Sequence, residues 1–251
     1  MSSKIRGTRK TRRKSKSPVL TNGPTIDTIN VINLERDKNR WAALEHKIKN
    51  LKPKPQRWQA VYGKDLDRRD MHDLGVGFAM VHGGKGNYDD QHKDLRNLGT
   101  VGCFLSHKGL LSSLSHMNLP DSAGHLILED DIEVPKQFLK ANDKWTQIKH
   151  SVPKDWDIIY LGIHNPIGKL VLPNIWKLEH ATKDEGNWGT HAYIVRHGSL
   201  KDKILPWLSY MIDALDLQLN IKFNEWNVYS IQPNIISMNK KQASKSTIQT
   251  M

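Results

Sequence analysis

Cysteine is nearly absent: Cys103 stands alone in 251 residues, which excludes an intramolecular disulfide framework and fits a reducing compartment. Long apolar runs are missing too. No stretch approaches the roughly 18 apolar residues a membrane-spanning helix needs. The basic N-terminus has no apolar segment behind it of the kind a secretory signal carries. The expectation is therefore a soluble, cytoplasmic protein. Acid is missing from residues 1–20, which hold Lys4, Arg6, Arg9, Lys10, Arg12, Arg13, Lys14 and Lys16. Removing these eight charges from the net +12 leaves +4, so the body of the chain is only mildly basic.

Residues 1–24 are Lys, Arg, Ser, Thr, Gly and Pro with almost no apolar content, which predicts a basic disordered tail. The string from Arg9 to Lys16 suits a polyanion contact or a nuclear-localisation patch, although a solvated, solubilising tail explains it as well. Residues 239–251 are polar again. Between the two tails, 25–238 is long enough for one α/β domain with a proper core.

Within that domain the run from Ile29 to Leu34 predicts a strand, Trp41 to Leu51 a helix ended by Pro53 and Pro55, and Arg57 to Tyr62 a second strand closed by Gly63. Residues 63–98 carry little periodicity and suggest a long irregular insertion with one short helix near 67–74. Helices are expected over 102–117 and 135–148, with further strands at 125–134, 156–162 and 190–195. A hairpin is expected at 167–178 and a last helix at 198–208. Strands alternating with helices imply a mixed sheet covered on both faces.

The segment from His125 to Val134 drives the apolar strand Leu126-Ile127-Leu128 into three consecutive carboxylates, Glu129, Asp130 and Asp131. Adjacent buried anions repel unless something positive compensates them. A divalent cation at the carboxyl end of a strand, where open α/β sheets bind ligands, is the obvious partner. In an extended strand Glu129 and Asp131 share one side and Asp130 takes the other. Oxygen ligands favour Mg2+ or Mn2+ over softer ions. The plain alternative is a solvated strand end with helix-capping acids before Pro135. Arg36 and Arg40 come after the first strand, where they could grip phosphate, though four-residue spacing also suits a solvated helix face. Cys103 has no cysteine partner and the histidines form no recognised zinc motif.

Several segments in order resemble glycosyltransferase family 25. They are Asn33-Leu34 with Arg36 and Arg40, Ala60 to Gly63, Gly102-Cys103 with Ser106-His107, Leu126 to Asp131, Trp156 to Gly162, and Gly189 to Tyr193. Together they span roughly residues 27–220. The resemblance implies a GT-A-like (Rossmann-like) single domain that uses a nucleotide sugar, usually a UDP-hexose, with Mn2+ or Mg2+. It implies an inverting transfer to a glycan or a protein hydroxyl, including collagen-like acceptors. It places donor-binding roles on Asn33, Arg36, Arg40, Gly63, Ser106 and His107. Metal or diphosphate roles fall on Glu129, Asp130 and Asp131. Gly189 and His191 border the same cleft; Asp216 resembles a late family Asp, an alignment for which Asp213 competes, and is the candidate base, with Asp184, Glu185 and His191 also open. Tyr62-Gly63 stands where the family pattern has Asp-Gly, so the resemblance implies no ribose contact from position 62.

Three rivals remain at this level. A metal-dependent nuclease would need acids from separate elements and would use a basic tail. A nucleic-acid-binding protein would rely on residues 1–20 alone. A degenerate transferase fold would bind UDP without turnover.

Overall fold

The structure is a computed structural model that describes residues 23–77 and 98–239. Both expected tails, apart from a few flanking residues, and most of the expected insertion at 63–98 lie outside the described residues. The first strand, β1 (Thr28–Asn33), is a β-rich run with five of its six residues buried. It leads into α1 (Lys38–Ile48) and then β2 (Gln56–Gln59). A short α2 (Arg68–Asp73) starts at a capping box, in which Asp67 accepts from the Asp70 amide and Asp70 from the Asp67 amide.

The long helix α3 (Leu98–Ser115) precedes β3 (Gly124–Glu129) and β4 (Ile132–Glu133). Next come α4 (Lys144–Ile148), β5 (Ile158–His164), β6 (Gly168–Leu172), β7 (Ile175–Leu178) and β8 (Trp188–Arg196). Helix α5 starts at His197–Ser199, widens into a π-type stretch at Leu200–Ile204 and ends at Leu205–Trp207. The chain closes with α6 (Leu215–Asn220), β9 (Val228–Ile231) and β10 (Ser237–Met238).

Eight strands form one sheet in the order β2-β1-β3-β8-β5-β9-β7-β6. β1 is parallel to both β2 and β3, whereas β8 is antiparallel to β3 and β5. The carboxyl ends of β1, β3 and β5 therefore meet the start of β8 at one edge. Successive residues of each strand point to opposite faces. Ile32, Ile127, Tyr193 and Val228 pack under α3, α5 and α6, while Val31, Leu128, Ile194 and Tyr229 pack toward α1 and α4. Both faces are thus covered, as the sequence implied. Among the described residues no helix is long and apolar enough to cross a membrane.

Two expectations are corrected. The helix expected over 135–148 exists only as Lys144–Ile148, because Leu139 takes a left-handed φ of 61° and the Asp143 side chain caps the chain later, at Thr146. The strand expected over 125–134 ends at Glu129, and Asp130 and Asp131 occupy a turn before β4. The sequence pattern predicts neither β9 nor α6. Each is only four to six residues long, too short for periodicity to separate from a loop.

His125 is fully buried on β3, with Nδ1 2.9 Å from Thr28 Oγ1 and Nε2 3.0 Å from His197 Nδ1. Burial, reinforced by His197, lowers its pKa to about 4. The unfolded chain takes up this proton near pH 6.5 and the folded one only near 4, so stability is full above 6.5 and falls as pH drops through that window. Urea unfolding of His125→Gln should show a pH dependence between 6.5 and 4.5 that is shallower by up to about one proton. An unchanged slope would contradict the burial of a neutral imidazole here.

Candidate functional site

The acidic turn sits at the sheet edge where β1, β3 and β8 meet. Because Asp130 and Asp131 leave the strand, the alternation expected of the three acids does not hold. Asp130 and Asp131 turn toward one guanidinium: Arg40 Nη2 lies 2.9 Å from Asp130 Oδ1 and 3.1 Å from Asp131 Oδ2. Glu129 goes its own way, accepting from Thr190 Oγ1 at 2.9 Å and lying 3.5 Å from His107 Nε2.

Asn33 completes the cage from the end of β1. Its Nδ2 donates to Asp130 Oδ2 at 2.5 Å, and its Oδ1 accepts from Arg57 Nε at 2.8 Å. Arg57, on β2, also donates to the Leu34 carbonyl at 3.1 Å. The arginine thereby fixes which way the Asn33 amide faces. Sequence reasoning missed Arg57; its only signal was a position beside β1, which needs the parallel register Val31 to Arg57.

One cation shared by two acids does not balance the charge. Burial raises the pKa of Asp131 to about 7, and the Glu129 carboxylate adds to the shift. Burial likewise raises Asp130 against the pull of Arg40. Glu129 is pushed up by burial, but contacts with His107 and Thr190 bring it below the ordinary carboxylate range. Asp131 Oδ1 and Arg40 Nε are both buried without a hydrogen-bond partner. An orphan acceptor and an orphan donor side by side fit a site that takes a cation together with an anion. An all-oxygen set of this kind suits Mg2+ or Mn2+.

Two cavities open from this point. The first, about 600 Å³ including its mouth, is lined by Asn33, Arg40, Tyr62, Gly63, Ser106 and Asp130 among others. That lies within the roughly 300–1,000 Å³ typical of small-molecule sites. The second, about 820 Å³, is lined by His164, Trp188, Gly189, Thr190, His191, Asp216 and Met238 among others. Cys103, Glu129 and Asp131 line both.

In the first cavity two expected ligands have structural duties. Ser106 donates to the Gly102 carbonyl at 2.5 Å and accepts from the Val61 amide at 2.8 Å, tying the loop after β2 to α3. Gly63 is a close-approach glycine, since a Cβ there would stand 1.7 Å from the Leu98 carbonyl oxygen. Arg36 is not brought to the acids. Its guanidinium lies 3.8 Å from the Tyr62 ring centroid, and it lines a separate surface depression.

In the second cavity Gly189 has φ 89°, which a side chain resists. Its amide donates to Asp216 Oδ2 at 2.8 Å, while Asp216 Oδ1 accepts from the Leu217 amide at 3.0 Å. Burial raises the Asp216 pKa. His191 is buried with neither ring nitrogen hydrogen-bonded, and burial lowers its pKa to about 4. His164 and Trp188 had no sequence signal; β-strand pairing alone brings them here, His164 opposite Trp188.

The sequence pattern described as "Glycosyltransferase family 25 (LPS biosynthesis protein)" matches residues 26–212. Procollagen galactosyltransferase 1-B of Xenopus laevis is 30% identical over 138 residues, which is 55% of this chain and 21% of that protein. A glycosyltransferase 25 family member of Drosophila melanogaster is 30% identical over 191 residues, covering 72% and 29% of the two chains. Human procollagen galactosyltransferase 2 is 27% identical over 175 residues, covering 68% and 26%. The chain thus spans between a fifth and a third of the length of these relatives.

Arg40→Met removes the cation that holds two buried carboxylates. The expected destabilisation is about 3–5 kcal/mol at pH 8. It should shrink at pH 5.5, where acids with raised pKa take up protons instead. Equal losses at both pH values, measured by urea denaturation, would show that Arg40 acts through packing rather than charge.

Proposed function

The chain belongs to glycosyltransferase family 25, and from that premise we propose that it transfers a hexose from a UDP-sugar to a hydroxyl acceptor, with inversion at the anomeric carbon. The observation that carries the proposal is the meeting of two cavities at Glu129 and Asp131. A two-substrate transfer needs donor and acceptor to approach from different sides of one reacting centre. Here Asn33, Arg40 and the acids line the donor side, and His191 and Asp216 line the acceptor side.

Asp130 and Asp131, helped by Glu129, would hold Mn2+ or Mg2+ in this reading. When bound, such an ion neutralises charge on the departing diphosphate. Arg40, whose Nε has no partner, would donate to a phosphate oxygen, and Asn33 keeps Asp130 oriented. Ala60, Val61, Tyr62 and Gly63 line the first cavity, where the nucleoside would lie.

On the acceptor side Asp216 is the better base. Burial lifts its basicity, and each of its oxygens spends one lone pair on a backbone amide and keeps another. Asp216 takes the acceptor hydroxyl proton, the oxygen bonds to the anomeric carbon, and the bond from that carbon to the diphosphate oxygen breaks. Burial lowers the basicity of His191 as it raises that of Asp216, which favours Asp216 for the proton. His191 serves instead as a hydrogen-bonding partner for the acceptor. Trp188 offers a flat apolar surface for a sugar or peptide.

The names of the relatives favour galactose as the sugar and a collagen-like hydroxyl as the acceptor, while the family description favours a glycan. The basic segment of residues 4–16 would then draw the enzyme to a polyanionic partner.

A UDP-release screen over a panel of UDP-sugars, with and without Mn2+, tests the reading. Metal-stimulated release with one donor is expected, and collagen-like peptide and glycan acceptors should separate the two candidates. Asp216→Asn should lower kcat by about a hundredfold or more while leaving donor-induced thermal stabilisation intact. Asp131→Asn should lose the response to Mn2+. No turnover and no donor-induced thermal shift would leave a binding module instead.

A further inference from the structure

Cys103 and His107 carry chemistry that the proposed transfer does not use. α3 places them four residues apart, hence on one face. They face Glu129 at the junction of the two cavities. His107 is 1% exposed; its Nδ1 lies 3.0 Å from Tyr193 Oη, and its Nε2 has no hydrogen-bond partner. That nitrogen lies 3.5 Å from Glu129 Oε1, and ligand atoms of Cys103, His107 and Glu129 all fall within 4.8 Å of one another.

These separations are those of a nearly assembled cation site. Zinc bonds of about 2.0–2.3 Å at tetrahedral angles set ligand atoms about 3.3–3.8 Å apart. The His107–Glu129 distance already falls in that range. The thiol has to close by no more than about 1 Å to join it. Both other ligands are held from behind, His107 by Tyr193 and Glu129 by Thr190, the outer-shell support that fixes ligand orientation. Tyr193 Oη can accept from Nδ1 or donate to it, and in the tautomer in which it accepts, Nε2 carries the lone pair that a cation would take.

We propose that Cys103, His107 and Glu129 form a second metal site, selective for Zn2+ over Mn2+ or Mg2+, with a fourth position open to the cleft. The sulfur and nitrogen donors separate it from the all-oxygen set at Asp130 and Asp131. Glu129 belongs to both sets, so an ion at one changes the charge presented to the other. Burial pushes the Cys103 thiol pKa well up, so the ion must displace its proton, which weakens binding relative to an exposed thiol set. The proposal does not depend on sugar transfer.

Titration of the full chain with Co2+ tests it directly. One equivalent should produce tetrahedral visible absorption and a near-ultraviolet thiolate-to-cobalt charge-transfer band. Zn2+ should displace the cobalt at stoichiometric concentration, and excess Mn2+ should not. Cys103→Ser, shown to be folded by circular dichroism, should lose the charge-transfer band, and His107→Gln should weaken Co2+ binding at least tenfold. Cobalt bound without that band, a band surviving in Cys103→Ser, or displacement by Mn2+ as readily as by Zn2+ would each overturn the proposal. The readout is spectroscopic, so a failed UDP-release assay leaves it standing.

Discussion

Charge compensation at the end of β3 is the constraint on which the rest of the site depends. Three carboxylates lie in or beside the protein interior within three residues, and the fold answers them with different partners. Arg40 takes Asp130 and Asp131, Asn33 takes Asp130, and Thr190 with His107 takes Glu129. Those partners come from α1, β1, β8 and α3. Removing the acids would leave the Arg40 guanidinium with only Asp37, 4.0 Å away, and would take from the Asn33 amide its shortest hydrogen bond. The compensation is nonetheless incomplete, because Asp131 keeps one buried oxygen without a partner.

That incompleteness is what makes the region a site rather than a structural ion-pair network. A closed network would satisfy every atom and block the cleft. Here the unsatisfied atoms face two cavities that share only a few lining residues. Backbone geometry supports the division. Gly63 and Gly102 let the loop after β2 approach α3 more closely than any side chain would permit, and Gly189 turns the start of β8 so that its amide holds Asp216.

Much of the core fold was legible. The β-rich runs ending at Asn33, Glu129 and Gly162 and the apolar face of α3 are strong local signals, and each became a strand or a helix. The acidic triplet was legible as a site but not as a geometry. A period of two assigned Glu129 and Asp131 to one side, whereas the turn at Asp130 brings Asp130 and Asp131 to one arginine. Arg36 differs again. It shares a spacing with Arg40, yet it stacks on Tyr62 away from the acids.

The sequence alone determined that this chain carries an α/β core with a strand ending in three acids, flanked by segments that resemble one transferase family in order. Local hydrophobic period, glycine position and charge density are properties of neighbouring residues, so they can be read in one dimension. Only the tertiary structure decided that Arg57 orients Asn33, that His191 and Asp216 share a cavity, and that Cys103, His107 and Glu129 converge. Arg57 and Asn33 are 24 positions apart, and no local period reaches across such a separation. The convergence on the acidic turn exists because antiparallel β8 is inserted between β3 and β5, which brings its first residues to the edge where the parallel strands end.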